Sequence, residues 1–126
     1  MTHVLDASAV LAFLHDEPGA NVVKQALEGA QMSAVNWSEV LQKAIWKQVD
    51  IVGMQQEFEE IGVTIKPFTA SQAEIAAQLW KATKKHGLSF ADRACLALAT
   101  ENKAPILTAD KAWIKLDLKI KLRFLR

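Results

Sequence analysis

Apolar positions in this chain fall alternately into short runs and helical stripes. His3-Val4-Leu5-Asp6 opens as a brief buried strand, and Val10, Leu11, Phe13 and Leu14 form an apolar stripe that stops before Glu17-Pro18-Gly19. Val22, Val23, Ala26 and Leu27 share one helical face, after which Gln31-Met32-Ser33 reads as a second short strand. The strongest 3.6-residue period follows, in Trp37, Val40, Leu41, Ala44, Ile45 and Gln48, behind a capping-box pattern of Asn36 and Glu39. Ile51, Met54, Phe58 and Ile61 predict a further helix closed by Gly62, then Val63-Thr64-Ile65 a third strand ended by Pro67. Ser71 and Glu74 suggest another capping box, opening a helix that packs through Ile75, Ala76, Leu79 and Trp80.

The stretch from 87 to 110 is the most informative. Gly87 stops the preceding helix, Ser89 caps a new one over Phe90 to Thr100, and Asp92 falls in its first turn. Pro105 excludes further helix, and Ile106-Leu107-Thr108 reads as a buried strand running to Asp110. From Lys115 to Arg123 polar and apolar residues alternate, with Leu116, Leu118, Ile120 and Leu122 on one side, which predicts a final strand with one wet face. Strands alternating with helices imply an α/β fold, a three-layer α/β/α sandwich around a mainly parallel sheet. The 126 residues fit one domain, 1–126.

Composition narrows the class without naming a partner. A hydrophobic content of 51%, a charged content of 23% and a net charge of +1 describe an ordinary globular chain rather than one that coats nucleic acid. The single cysteine, Cys95, lies in an apolar helix and reads as core packing, which suits a reducing cytoplasm. No apolar run approaches the roughly 18 residues of a membrane span, and the first residues lack a signal-peptide pattern, so a cytoplasmic protein with no membrane partner is expected.

Four acids change the picture. Asp6, Glu39, Asp92 and Asp110 each stand where a strand ends or a helix begins, and each could serve as a helix cap worth about 0.5–2 kcal/mol. In a parallel sheet these positions share one edge. Crowded carboxylates either raise one another's pKa values or recruit a cation, and oxygen ligands without histidine or cysteine favour Mg²⁺ or Mn²⁺. An acidic site of this kind serves phosphoryl or phosphodiester chemistry. A receiver-type phosphotransfer domain is excluded by Lys66-Pro67, where its phosphoacceptor aspartate would stand, and an Asp-x-Asp phosphatase by Ser8. A non-catalytic α/β interaction module, its acids acting only as caps, remains the alternative.

Val-Leu-Asp6-Ala-Ser8-Ala-Val-Leu, Ser38-Glu39 before a helix, Leu-Ser-Phe-Ala-Asp92-Arg-Ala-Cys-Leu-Ala-Leu-Ala and Ile-Leu-Thr108-Ala-Asp110 resemble the PIN-domain ribonucleases, in particular the VapC-type toxins of bacterial toxin–antitoxin pairs. The resemblance spans the chain and is weakest from Gly53 to Ser71. It implies a Mg²⁺- or Mn²⁺-dependent endoribonuclease acting on RNA, frequent homodimers and inhibition by a cognate antitoxin. By the same resemblance Asp6, Glu39, Asp92 and Asp110 form the acidic quartet, supported by the hydroxyls of Ser8 and Thr108. Arg93, a cation in a helix's first turn, reads equally as a phosphate clamp or as one half of a salt bridge, and Lys111 shares that ambiguity. The face made by Lys43, Trp46 and Lys47 lies opposite the apolar stripe, where an exposed tryptophan suits an antitoxin or dimer contact.

Overall fold

The computed structural model describes residues 2–126. In chain order the elements are β1 (Val4–Leu5), α1 (Ala7–Leu14), α2 (Ala20–Ala26), β2 (Gln31–Ser33), α3 (Ala34–Trp46), α4 (Met54–Ile61), β3 (Thr64–Lys66), α5 (Ala70–Thr83), α6 (Phe90–Asn102), β4 (Ile106–Thr108) and β5 (Leu122–Phe124). The strands form one sheet in the order β3-β2-β1-β4-β5, and every neighbouring pair is parallel. None of the helices among the described residues is long and apolar enough to cross a membrane.

Strand β1, at the centre of the sheet, is apolar throughout because both faces of the sheet are covered. Val4 and Ile106 turn towards Cys95, Leu96 and Leu98 of α6, and Trp113 closes that side. Leu5 and Leu107, one residue on, turn the other way, towards Val10, Trp37, Val40 and Phe58. Successive strand residues thus serve opposite layers. Trp37 and Phe13 both meet the Phe58 ring edge-on, with centroids 5.3 and 6.2 Å away, so α1, α3 and α4 share one aromatic joint. Gly62 ends α4 at φ 120°, where a Cβ would stand 3.0 Å from Glu28 Cα; the turn needs glycine for both conformation and space.

Three expectations are corrected. Helix α3 starts at Ala34, three residues before the predicted box would place its first turn, and its cap is Ser33, whose Oγ accepts from Val35 N at 3.2 Å. A cap must stand in extended backbone, and Ser33 still belongs to β2, whereas Asn36 is already helical. The same shift moves the cap of α5 from Ser71 to Thr69, which accepts from Gln72 N at 3.1 Å. The third correction concerns the tail. Residues Lys111–Lys115 form a 3-10 turn, and only Leu122–Phe124 join the sheet. Leu116, Leu118, Ile120 and Leu122 do pack against the apolar layer under α6, so their alternation records burial. Strand β4 is three residues long and pairs Ile106, Leu107 and Thr108 with Leu122, Arg123 and Phe124; no ladder remains for the residues before them.

Candidate active site

The carboxyl ends of β1, β2 and β4 lie side by side, and the polar residues that follow them gather there. Asp6 follows β1 and is almost fully buried. Its Oδ1 accepts from Ser8 Oγ at 2.7 Å and from Ala9 N at 2.9 Å, and its Oδ2 accepts from Thr108 Oγ1 at 2.6 Å. Thr108 Oγ1 in turn accepts from Asp110 N at 2.9 Å, and Ser8 Oγ from Ala109 N at 2.9 Å. Ser8 and Thr108 therefore lock the Asp6 carboxylate to the end of β4. Asp110 accepts from Ala112 N through Oδ1 at 2.9 Å and so caps the 3-10 turn.

The second wall comes from α3 and α6. Ser89 and Asp92 make a reciprocal capping box, Ser89 N donating to Asp92 Oδ2 at 2.9 Å and Asp92 N to Ser89 Oγ at 3.1 Å. Asn36 stitches the two helices together. This buried residue sends its Nδ2 to Ala91 O at 2.9 Å and to Glu39 Oε1 at 3.2 Å, which brings the starts of helices from two layers to one place. By residue type and spacing Asn36 reads as a helix cap. An amide three residues before an acid was the available signal, and only its cross-layer partner reveals the other role. Glu39, expected in the first turn as the partner of an Asn36 cap, instead sits in the body of α3.

Electrostatics bind the four acids into one unit. Burial pushes the Asp6 carboxyl up to about 6, against the pull of its three hydrogen bonds, and the charge of Asp92 adds to the rise. Glu39 is raised by burial and then by Asp92, while Asn36 pulls it down. Asp92 is raised by burial, restrained by Ser89, and raised further by Asp110. Asp92 is thus the member that feels, or is felt by, all the others. Beneath them the buried Cys95 thiol is pushed up by desolvation and by the charges of Asp6, Asp92 and Glu39, which leaves it an inert core group.

Arg93 makes a contact that the sequence did not suggest. Its Nη1 donates to Ala76 O at 2.9 Å and its guanidinium lies 5.8 Å from the Phe90 ring centroid, so it ties α6 to α5. A backbone carbonyl is the partner that sequence cannot reveal. Lys111 is exposed next to Asp110. A cavity of about 390 Å³ adjoins the acids through Glu39 and runs between α1 and α3. A larger one, about 700 Å³, opens at the opposite edge of the sheet around Pro105 and Lys121, away from every acid of the site.

The family model of the PIN domain matches residues 3–119. The chain belongs to the PIN-domain family. It is 26% identical to the ribonuclease VapC42 of Mycobacterium tuberculosis over 127 aligned positions, covering 92% of this chain and 96% of that one. Its fold matches the crystal structure of FitAcB from Neisseria gonorrhoeae with a TM-score of 0.75 at 22% identity, covering 99% and 98% of the two chains. It matches a toxin-antitoxin complex from Klebsiella pneumoniae with a TM-score of 0.72 at 18% identity, covering 98% of each. The parallel α/β architecture expected from the alternation of elements is the one shared with these solved structures.

In this PIN domain capping does not use up every carboxylate oxygen. Asp92 and Asp110 each give one carboxylate oxygen to a helix start and keep the other without a donor among the described residues. The donors are all oxygens, the acids repel one another, and the buried Asn36 Oδ1 beside Glu39 has no hydrogen-bond partner among the described residues. Such a set fits a hard cation. Among the described residues, however, no three acidic, histidine or cysteine side chains converge into a ready-made cage.

Proposed function

We propose that this PIN domain is a divalent-metal-dependent endoribonuclease, the toxin of a toxin–antitoxin pair. The observation that carries the reading is the sharing of one sheet edge by Asp6, Glu39, Asp92 and Asp110, with three of the four held above the ordinary carboxylate range by burial and mutual charge. The names of its relatives, a VapC ribonuclease and a toxin-antitoxin complex, support the substrate class and an antitoxin as partner. A homodimer completes the partners of this reading, and the cytoplasm is its compartment.

Asp6, Glu39, Asp92 and Asp110 would hold Mg²⁺ or Mn²⁺, which when bound supplies charge neutralisation and a water made acidic enough to attack a phosphodiester. The chain's own residues set up that site. Thr108 and Ser8 fix both oxygens of Asp6, so its orientation costs nothing at the moment of binding. Asn36 holds Glu39 by one oxygen, and Ser89 holds Asp92 by one. Without a cation the acids would repel a phosphate, and Asp6 takes up a proton as the pH falls towards 6. Cation binding therefore competes with protons, and activity should fall on the acid side of neutrality. Lys111 stands at the rim as a contact for RNA phosphate.

The decisive comparison is wild type against Asp6→Asn on structured RNA, with Mg²⁺, with Mn²⁺ and with EDTA, alongside circular dichroism. Asparagine caps a helix about as well as aspartate, so the fold survives. Cleavage should fall by at least on the order of 100-fold, the upper range for groups one step further from a cation. If the acids are caps alone, the folded variant behaves like wild type. Cleavage that persists equally in the variant or in EDTA refutes the nuclease reading.

A further inference from the structure

The cavity beside the acids has a chemistry of its own. Glu39, Gln42, Lys43 and Trp46 are spaced i, i+3, i+4 and i+7, so one stripe of α3 leads from the acidic edge to an indole about 10 Å along the helix axis. Ala7 and Leu11, likewise one turn apart on α1, form the facing wall. At about 390 Å³ the space lies near the small end for pockets that enclose organic ligands, and suits one planar group more than a docked helix. Trp46 is 74% exposed, and the Lys43 ammonium hovers 5.6 Å from its ring centroid. A bare indole costs free energy in water, and nothing in its own helix buries it.

We propose that this cavity is a nucleobase subsite: Trp46 stacks on an unpaired base, Gln42 meets the base edge, and Lys43 holds the adjoining phosphate while the neighbouring phosphodiester lies at the acids. The inference rests on the endoribonuclease reading and adds to it how the strand is gripped. Four properties single out a nucleotide. An aromatic plane takes a π face, an amide both donates to and accepts from a base edge, an ammonium pairs with phosphate, and the pocket is continuous with the site through Glu39. A peptide could meet the amide through its backbone and the ammonium through a carboxylate, but a space of about 390 Å³ takes one planar group rather than a docked helix. Single-stranded RNA is the substrate that presents all these groups together, because pairing in a duplex hides the base edge.

The test titrates a fluorescently labelled single-stranded oligoadenylate, and a base-free ribose-phosphate oligomer of the same length, in Ca²⁺ in place of Mg²⁺. Trp46→Ala should weaken oligoadenylate binding about fivefold or more and leave the base-free oligomer unaffected. Trp46→Phe should keep affinity within about twofold of wild type, since an aromatic face remains, yet lose most of the tryptophan quench that adenine causes. Lys43→Gln should lower the slope of log affinity against log salt by about 0.7, one phosphate's worth for a single strand. Equal oligoadenylate affinity in wild type and Trp46→Ala overturns the proposal, as does an equal loss for the base-free oligomer. Unchanged RNA affinity with a smaller mass in light scattering would assign the face to a protein contact and equally overturn it. A wild type that cuts RNA while Trp46→Ala binds normally defeats the subsite alone. A wild type that neither binds nor cuts RNA defeats the nuclease reading and the subsite with it.

Discussion

Exchanging Asp6 for asparagine tests the electrostatics of the site without any substrate. The carboxyl of Asp6 is raised from 3.8 to about 6, chiefly by burial, so its ionised form is worse off in the folded chain than in the unfolded one. The folded state then binds more protons than the unfolded state between those two values, and stability falls as pH rises through that window. Above the folded value the loss is complete and amounts to about 3 kcal/mol. An asparagine stays neutral throughout. Its amide can donate to Thr108 Oγ1, which then turns its hydroxyl towards Ser8 Oγ, now 3.3 Å away, while Ser8 and Ala9 N still donate to the side-chain oxygen. Every member of the network keeps a partner. Asp6→Asn should therefore match wild type near pH 4 and exceed it by about 3 kcal/mol near pH 8 in EDTA. Urea unfolding of both proteins across that range measures the gap, and their difference cancels groups that titrate alike in each. A variant no more stable than wild type at pH 8, or a gap that does not shrink towards pH 4, refutes the account of Asp6.

Two other outcomes follow from the same geometry. Millimolar Mg²⁺ or Mn²⁺ should raise the melting temperature of wild type, because only the folded chain gathers the acids, and Asp92→Asn should reduce that gain; scans insensitive to both ions in both proteins reject the cation site. Arg93→Met should cost about 1.5 kcal/mol by removing the Nη1 bond to Ala76 O, while RNA affinity stays as it was. A loss of affinity at unchanged stability would restore Arg93 as a phosphate clamp.

Local signals that coincide with backbone need were legible in the sequence. Gly87, Ser89 and Asp92 announce a helix start, and the chain builds it there, with the capping box complete. The short apolar run before Thr108 and Asp110 is likewise a strand, because a residue buried on both faces admits little but aliphatic side chains. What stayed hidden depends on partners distant in sequence. Ser33 and Asn36 are equally good caps by type, and the choice falls to Ser33 because β2 holds it extended; Asn36 is drawn to Ala91 O, 55 residues on. Arg93 likewise answers to a carbonyl of α5. In the tail, alternation at Leu116, Leu118 and Ile120 reports a buried side without saying that β4 is too short to pair with it.

The place of β1 at the centre of the sheet carries a consequence for the order of events in synthesis. Asp6 leaves the ribosome well before its partner, because the Thr108 hydroxyl that fixes it comes 102 residues later. At about 5–20 residues per second, some 5–20 s of elongation separate the two partners. Until then β1 has only β2 to pair with, and the strand that carries the remaining wall of the site does not yet exist. A nascent chain of this topology cannot complete the acidic edge until β4 has been made.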